Sequence, residues 1–359
     1  EIFVANNRKE AESLAKKKFK KKTLLKQDSD VLDTWFSSAL WSFATFGWPK
    51  KTYELKRFYS TSVLVTGFDI IFFWVARMMM MSLYFMKKVP FSHVYVHALV
   101  RDEKGQKMSK SKGNVIDPLV LINEYGADAL RFTLIAMSSP GRDVKLAKER
   151  VNGYKNFVTK IWNIFNFSKF NNTFTNPKVN IGKINDPVNL WILNEFNNCK
   201  LKTNECINSY RFDEAAKHVY QFTWNFFCDW YIEFSKPILY SENKKNITEL
   251  KNTMTFLQSE ILLLLHPFMP FVTEELWGLT KFNKFFNTPL ISYTSKNSYK
   301  LTKLQINKAK DINAIIDFIS EIRSLKVTLG ISPASFASLH LKETSKNFQK
   351  LITNNINIV

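Results

Sequence analysis

The sequence predicts an α/β portion built on a parallel sheet with covering helices, followed by an all-α helical bundle. From about residue 28 to 145, short β-type runs such as VLVTG and HVYVHALV alternate with helix-type runs such as IIFFWVARMMMMSLYFM, a pattern typical of parallel sheets. After about residue 148 the chain has long stretches of helical period, rich in aromatic residues and poor in glycine. At 359 residues, the chain exceeds the roughly 250 residues at which single cores stop growing, so we expect at least two domains.

Helical periodicity locates the elements of the predicted bundle. Helix-like runs cover about 149–170, 187–209, 247–264, 268–279 and 306–328. The segment 211–234 has apolar residues at spacings of three or four, which places them on one face of a single helix. This predicted buried stripe consists of Phe212, Ala215, Val219, Phe222, Phe226, Trp230 and Phe234. The last stretch, FASLHLK followed by SKNFQKLITNN, favours a strand and a helix.

The composition indicates a polyanionic partner. A formal net charge of +20 concentrates phosphates at a protein surface, so nucleic acid is the leading candidate. Six lysines lie within residues 16–22, where a short capped helix is predicted. These lysines are either a solvated basic face or a set of phosphate contacts.

Cysteine usage and hydropathy limit the cellular setting. Cys199, Cys206 and Cys228 are the only cysteines and form no CxxC motif, so neither a disulfide framework nor a cysteine zinc site is indicated. The apolar segment 62–86 is interrupted by two charged residues, which favours buried core over a membrane span. We therefore expect a cytoplasmic protein without a membrane partner. The first residue is not methionine, so we expect a piece of a longer protein.

The segment GQKMSKSKGN at residues 105–114, here called the lysine loop, carries the strongest local signal for anion binding. Its serines and its flanking glycines, Gly105 and Gly113, favour a mobile loop over a helix. Lys107 and Lys110 lie three residues apart within it. By composition alone, the loop is either a phosphate-binding element or an exposed basic turn.

The residues after the lysine loop strengthen the phosphate interpretation. Asp117 and Pro118 have the character of an N-cap and a first helical residue. The loop would then end close to the positive end of a helix dipole. Lysines, main-chain donors and a helix N-terminus are together suited to phosphate.

The chain resembles bacterial valyl-tRNA synthetases, which are class I aminoacyl-tRNA synthetases. KMSKS at 107–111 is similar to the signature loop of class I. The resemblance extends from about residue 28 to at least 333 and is carried by five segments. Isoleucyl and leucyl relatives share KMSKS but differ in the first two of these five segments. Those segments are DVLDTWFSSALWSFATFGWP (30–49), TSVLVTGFDIIFFWVARMM (61–79), VHALVRDEKGQKMSKSKGNVIDP (96–118), RFDEAAKHVYQFTWNFFCDWYIEFSKP (211–237) and HPFMPFVTEELW (266–277).

This resemblance implies a Rossmann-like catalytic portion, an anticodon-binding bundle and a monomer that uses ATP, valine and the valine tRNA, with Mg²⁺ accompanying the ATP. The catalytic residues would be Lys107 and Lys110. The implied ATP-binding residues are Lys107, Met108, Ser109, Lys110, Ser111, Gly67, Asp69, His97, Leu99 and Val100. The implied lining of the valine pocket is Trp35, Ile70 and Trp74, with Ile70 and Trp74 on one helical face.

The residues alone leave other interpretations open. Asp69 in an apolar run is also typical of a helix cap, and large apolar residues such as Trp35, Ile70 and Trp74 are usually ordinary core. His93 and His97 share one strand face, but without a third ligand we expect no metal site.

The resemblance also divides the chain and exposes departures from the family. We expect a remnant or linker of an inserted editing domain at 1–27, the C-terminal half of the catalytic domain at 28–147, a helical anticodon-binding domain at 148–300 and a further part of that region at 301–359. The family's HIGH motif, editing domain and C-terminal coiled coil do not occur in this sequence. We therefore expect this chain alone to be inactive. The alternatives are a catalytically decayed tRNA-binding protein and an isoleucyl-type enzyme.

Overall fold

The computed structural model describes the chain in two compact units, Glu1–His97 and Ala98–Val359. The described residues are 1–290, 299–332, 335, 338, 340–342 and 344–356, with only the main chain of Lys110. Three of the seven residues of the predicted FASLHLK strand (336, 337 and 339) lie outside these residues, and the other four form no strand.

The first unit contains a parallel β-α-β crossover. Its β1 and β2 pair in parallel, from Thr61 opposite Phe91 to Gly67 opposite His97, with a helix between them in the chain. This confirms the predicted parallel sheet with helices. In chain order the elements are α1 (Arg8–Phe19), α2 (Thr34–Ala44), α3 (Tyr53–Phe58), β1 (Thr61–Gly67), α4 (Ala76–Phe85) and β2 (Phe91–His97).

The chain between β1 and α4 departs from a regular helix. A 3-10 turn at Phe68–Ile70 is followed by a π-helical turn at Ile71–Val75. Ile70 has φ −113° and ψ 12°, outside the α-helical region. The α-helical spacing that placed Ile70 and Trp74 on one face is therefore wrong, because a π turn contains more residues per turn than an α turn.

The apolar segment Phe68–Phe85 is mostly exposed within this unit. It has a mean hydropathy of 1.5 over 18 residues, enough by length and composition for a membrane span, and 17% of it is buried. Phe72 is 73% exposed, Met80 67% and Tyr84 68%. The prediction of buried core is thus wrong for this unit, because the paired strands cover one side of the segment, where Val75 and Met78 are buried.

The second unit is predominantly helical. Its two short strands pair in parallel, Val100 with Val144 and Arg101 with Lys145. The five predicted helical runs and the predicted C-terminal helix are confirmed. In chain order the elements are β3 (Val100–Arg101), α5 (Pro118–Tyr125), α6 (Ala127–Met137), β4 (Val144–Lys145), α7 (Lys148–Phe170), α8 (Pro187–Asn208), α9 (Phe212–Gln221), α10 (Ile232–Leu239), α11 (Lys244–Leu265), α12 (Pro270–Leu279), α13 (Phe282–Phe286), α14 (Lys303–Thr328) and α15 (Lys346–Asn354).

A large aromatic core holds this bundle together. Trp191 and Trp277 are fully buried within it. Two large buried side chains there have partners for their polar ends: the Trp191 indole donates to Asn313 Oδ1 at 2.8 Å, and the Tyr231 hydroxyl donates to Asn189 Oδ1 at 2.8 Å. Such pairing removes the cost of burying the polar ends of large side chains.

A π-helical stretch at Phe222–Tyr231 separates α9 from α10. The predicted single α-helical stripe is wrong at this point. Phe227 and Tyr231 are buried, while the predicted Phe226 and Trp230 are half-buried. The wider π turn moves the inward position from the fourth to the fifth residue after Phe222.

Candidate functional site

The lysine loop begins as a tight hairpin in the second unit. Arg101 forms an antiparallel bridge with Lys107. Inside it, the Asp102 amide donates to the Gln106 carbonyl at 3.0 Å. Gly105 lies in the turn with φ +80°, a conformation that residues with a side chain rarely adopt. The hairpin therefore fixes the main chain where the KMSKS segment starts.

The KMSKS segment itself is exposed and turns back on itself. Lys107 and Ser111 are exposed, and Met108 and Ser109 are half-buried. A 3-10 turn spans Lys110–Lys112, and the hydroxyls of Ser109 and Ser111 lie 3.2 Å apart. The predicted role of the Lys110 side chain falls outside what the structure describes.

Helix α5 begins just after the loop, as predicted. The Asp117 carboxylate accepts from the Leu119 amide at 2.9 Å, and Pro118 is the first helical residue. An aspartate N-cap followed by proline stabilises a helix start for two reasons. The aspartate carboxylate accepts from one free amide of the first turn, and proline has no amide hydrogen that would need a partner. The positive end of the α5 dipole thus lies four residues from Gly113 in the chain.

The main chain before the loop is held by an ion pair that the sequence analysis missed. Arg101 and Asp143 form a salt bridge, and this bond is the main reason that the pKa of the Asp143 carboxyl lies below its ordinary value. The Leu99 amide faces the same carboxylate at 3.4 Å, and the Val144 amide donates to the Leu99 carbonyl at 2.8 Å. Bonds at Leu99 and at Arg101 therefore hold β3 to the start of β4.

The predicted β-type run HVYVHALV (93–100), which contains His97, Leu99 and Val100, belongs to two separate strands. Strand β2 ends at His97 and β3 begins at Val100, which is 40% exposed. The break arises because Leu99 bonds to Asp143 and Val144 instead of continuing β2. The binding of ATP by these three residues stays a prediction.

In the first unit, two of the implied ATP-binding residues, Gly67 and Asp69, lie at the end of β1. Gly67 is buried with φ −77° and ψ 154°, which is ordinary extended backbone. Asp69 is exposed in the following 3-10 turn. Gly67 lies opposite His97, so both are at the carboxyl ends of parallel strands, where such sheets bind ligands. His93 and His97 share one face of β2, and among the residues described here no three His, Cys, Asp or Glu side chains are placed to hold a metal ion.

The predicted valine-pocket residues have different surroundings. Trp35 is 40% exposed, and the Arg77 guanidinium lies 4.8 Å from its ring centre. Ile70 is 39% exposed. Trp74 packs against the core of the unit, and its ring centre is 5.8 Å from that of Trp41. Trp74 therefore has both a packing role and a half-buried surface on which a ligand could rest.

Asn114 is a further residue that the sequence analysis missed. Its side chain bonds to the main chain of both Lys107 and Ser109 and to the carboxylate of Asp102. An asparagine after a loop glycine is common, so the sequence had no signal that distinguishes it.

Comparison with known proteins identifies two family domains. Residues 2–147 match the class I tRNA synthetases (I, L, M and V), and residues 189–341 match the anticodon-binding domain of tRNA ligases. The chain is 51% identical over 360 aligned residues to the valine–tRNA ligase of Pelagibacter ubique (strain HTCC1062), covering 99% of this chain and 40% of that protein.

Two solved structures share the fold at low identity. The Agrobacterium radiobacter K84 LeuRS in its ternary complex with tRNA and LeuAMS has a TM-score of 0.56 at 19% identity, covering 71% of this chain and 32% of that one. The Mycobacterium tuberculosis methionyl-tRNA synthetase with methionyl-adenylate has a TM-score of 0.57 at 18% identity, covering 68% and 49%.

The chain spans about 40% of the length of the first of these relatives. The two family matches lie one after the other, in the order that the α/β portion and the bundle have in this fold. With half of its residues identical to a valine–tRNA ligase along nearly its whole length, the chain belongs to the class I tRNA synthetases, as a homologue of a segment of the valine–tRNA ligases.

Proposed function

We propose that a synthetase containing this chain joins valine to its tRNA, using ATP and a valyl-adenylate intermediate. The observation that carries this proposal is the lysine loop. Its KMSKS segment leaves a hairpin and leads to the capped start of α5, within a chain 51% identical to a valine–tRNA ligase. Exposed lysines and a helix N-terminus are the groups that bind phosphate.

The proposed first step transfers the adenylyl group. A carboxylate oxygen of valine attacks the α-phosphorus of ATP, the bond from that phosphorus to the bridging oxygen breaks, and pyrophosphate leaves with its Mg²⁺. Negative charge grows on the departing phosphates, so Lys107 and Lys110 stabilise the transition state more than the ground state. Transfer of the valyl group to the terminal ribose of the tRNA releases AMP.

The remaining residues would position the substrates. Asp69 would accept hydrogen bonds from the ribose hydroxyls, beside the main chain of Gly67. The main chain at His97, Leu99 and Val100 would face adenine. Met108, Ser109 and Ser111 would lie alongside the phosphates of ATP. Trp35, Ile70 and Trp74 would line the valine pocket, because indole and aliphatic groups exclude larger or polar amino acids by shape.

Amino-acid-dependent pyrophosphate exchange by the full-length synthetase tests this function. Valine should support exchange far better than isoleucine. The opposite preference would indicate an isoleucyl-type enzyme, and tRNA binding without any exchange would indicate a catalytically decayed tRNA-binding protein. We further propose a cytoplasmic monomer, consistent with the three free cysteines.

Replacing Trp74 by alanine in the full-length synthetase should raise activation of isoleucine relative to valine. An extra methylene in an apolar pocket changes discrimination by about 1–3 kcal/mol, so removing the indole should change the ratio of kcat/KM by roughly 10-fold or more. Because Trp74 also packs against the unit core, Trp41→Ala is the matched control for lost packing. An unchanged isoleucine to valine ratio would show that Trp74 is only core.

The 359-residue chain alone should bind tRNA weakly and in a salt-dependent manner. Its net charge of +20 attracts phosphates, and each phosphate contact releases a counterion, so log K should fall linearly with log salt. Fluorescence anisotropy with labelled tRNA over a series of KCl concentrations measures the slope. The same preparation should fail in valine-dependent exchange, since the family's HIGH motif is not in its sequence. Salt-independent binding would contradict the electrostatic account.

A further inference from the structure

We propose that Asn114 and Asp102 form a latch that holds the lysine loop in the conformation in which Lys107 acts, so that both are positioning residues for adenylate formation. The catalytic consequence of this inference rests on the proposed function, whereas the latch itself does not. It concerns side chains outside the KMSKS segment that determine where the segment's main chain lies.

The Asn114 carboxamide bonds at two points of the KMSKS main chain. Its oxygen accepts from the Ser109 amide at 2.9 Å, and its amino group donates to the Lys107 carbonyl at 3.3 Å. One planar group thus fixes the spacing of two residues at the start of the segment. An asparagine can do this because it carries a donor and an acceptor on one carbon.

The same amino group donates to the Asp102 carboxylate at 2.8 Å. Asp102 is itself fixed in the hairpin, because its other oxygen accepts from the Gln106 amide at 2.6 Å. The Asn114 bond is the first cause that lowers the pKa of the Asp102 carboxyl, so the carboxylate is charged at neutral pH. A charged acceptor makes the bond stronger than one between neutral groups.

Together these bonds connect the end of the lysine loop to the hairpin that precedes it. Asp102 lies before the hairpin turn and Asn114 lies after Gly113, so their bond joins residues 12 positions apart in the chain. Breaking it detaches the Asn114 side chain from the hairpin, so that Lys107 is held there by its main-chain bridge to Arg101 and no longer through Asn114. Because misplacing a reacting group by about 1 Å can cost roughly 10²-fold in rate, the latch should affect kcat more than valine binding.

Four variants of the full-length synthetase separate the latch from simple packing. Asn114→Ala removes all three bonds. Asn114→Asp places a second carboxylate against Asp102. The exchanged pair Asp102→Asn with Asn114→Asp again sets one amide donor against one carboxylate, with unchanged net charge. Gln106→Ala is the matched control, because Gln106 is exposed and its bonds to Asp102 are made by its main-chain amide and carbonyl.

Asn114→Ala should lower kcat of pyrophosphate exchange by about 10- to 100-fold with the KM for valine nearly unchanged. Asn114→Asp should be comparably slow at neutral pH and should recover as pH falls. Two carboxyls this close raise the pKa of one of them, and its proton restores a donor. The exchanged pair should regain at least about tenfold over Asn114→Asp, which a residue needed only for packing would not produce. The control should match the unaltered enzyme.

Hydrogen exchange at the Ser109 amide tests the latch without catalysis. This exchange should be faster in Asn114→Ala than in the unaltered protein, because the amide loses its acceptor. If the unaltered enzyme lacks valine-dependent pyrophosphate exchange, the proposed function fails, and hydrogen exchange at the Ser109 amide still tests whether the latch forms. Unchanged Ser109 protection, an unchanged kcat in Asn114→Ala, or an exchanged pair as slow as Asn114→Asp would each overturn the proposal.

Discussion

Replacing Lys110 by alanine in the full-length synthetase should slow adenylate formation by about 10²- to 10³-fold, the typical loss when one preorganised donor to a developing charge is removed. The KM for valine should change little, because the lysine acts on charge that exists mainly in the transition state. Valine-dependent pyrophosphate exchange and single-turnover adenylate formation together separate these two quantities.

Lys112→Ala is the matched control for this experiment. Lys112 is exposed, ends the same 3-10 turn and lies outside the KMSKS segment. Its loss removes an equal charge from the loop, so it reports any effect of net charge alone. Equal losses in the two variants, or a raised KM for valine at unchanged kcat in Lys110→Ala, would show that Lys110 has no specific role at the phosphates.

The features that the sequence predicted well depend on neighbours in the chain. The start of α5 was predicted at Pro118, because Asp117 and Pro118 satisfy a helix end through bonds that span two residues. The bundle helices were predicted to within a few residues, because a buried face repeats every three or four residues over several turns.

The features that the sequence did not predict depend on contacts between residues distant in the chain. Asn114 bonds to Asp102 across 12 positions of the chain, and Asp143 pairs with Arg101 across 42. Single contacts at such sequence separations produce no periodic pattern in the sequence. The candidate catalytic residues came from the family resemblance, since composition alone left an exposed basic turn as an equal alternative. The exposure of the 68–85 segment was missed because hydropathy reports what a segment prefers, not what covers it.

The π-helical stretch at Phe222–Tyr231 is the clearest difference between the periodicity and the structure, and it leads to the largest expected effect on stability. Regular α-helical spacing makes Phe226 the core residue, whereas in the structure Phe227 is 1% exposed and Phe226 is half-buried. Phe227 lies with its ring centre 5.4 Å from that of Tyr231. The two neighbouring phenylalanines therefore form a matched pair for a direct test.

Phe227→Ala should lower the free energy of unfolding of the second unit by about 3–5 kcal/mol, because it removes a fully buried ring and leaves a cavity. Phe226→Ala should cost only about 1–2 kcal/mol, since its half-buried ring, 6.1 Å from that of Trp191, excludes less apolar surface from water. Urea unfolding of the 359-residue chain, followed by far-UV circular dichroism, measures both variants, provided that the m-values agree. A larger loss for Phe226→Ala than for Phe227→Ala would mean that this stretch continues as a regular α-helix in solution.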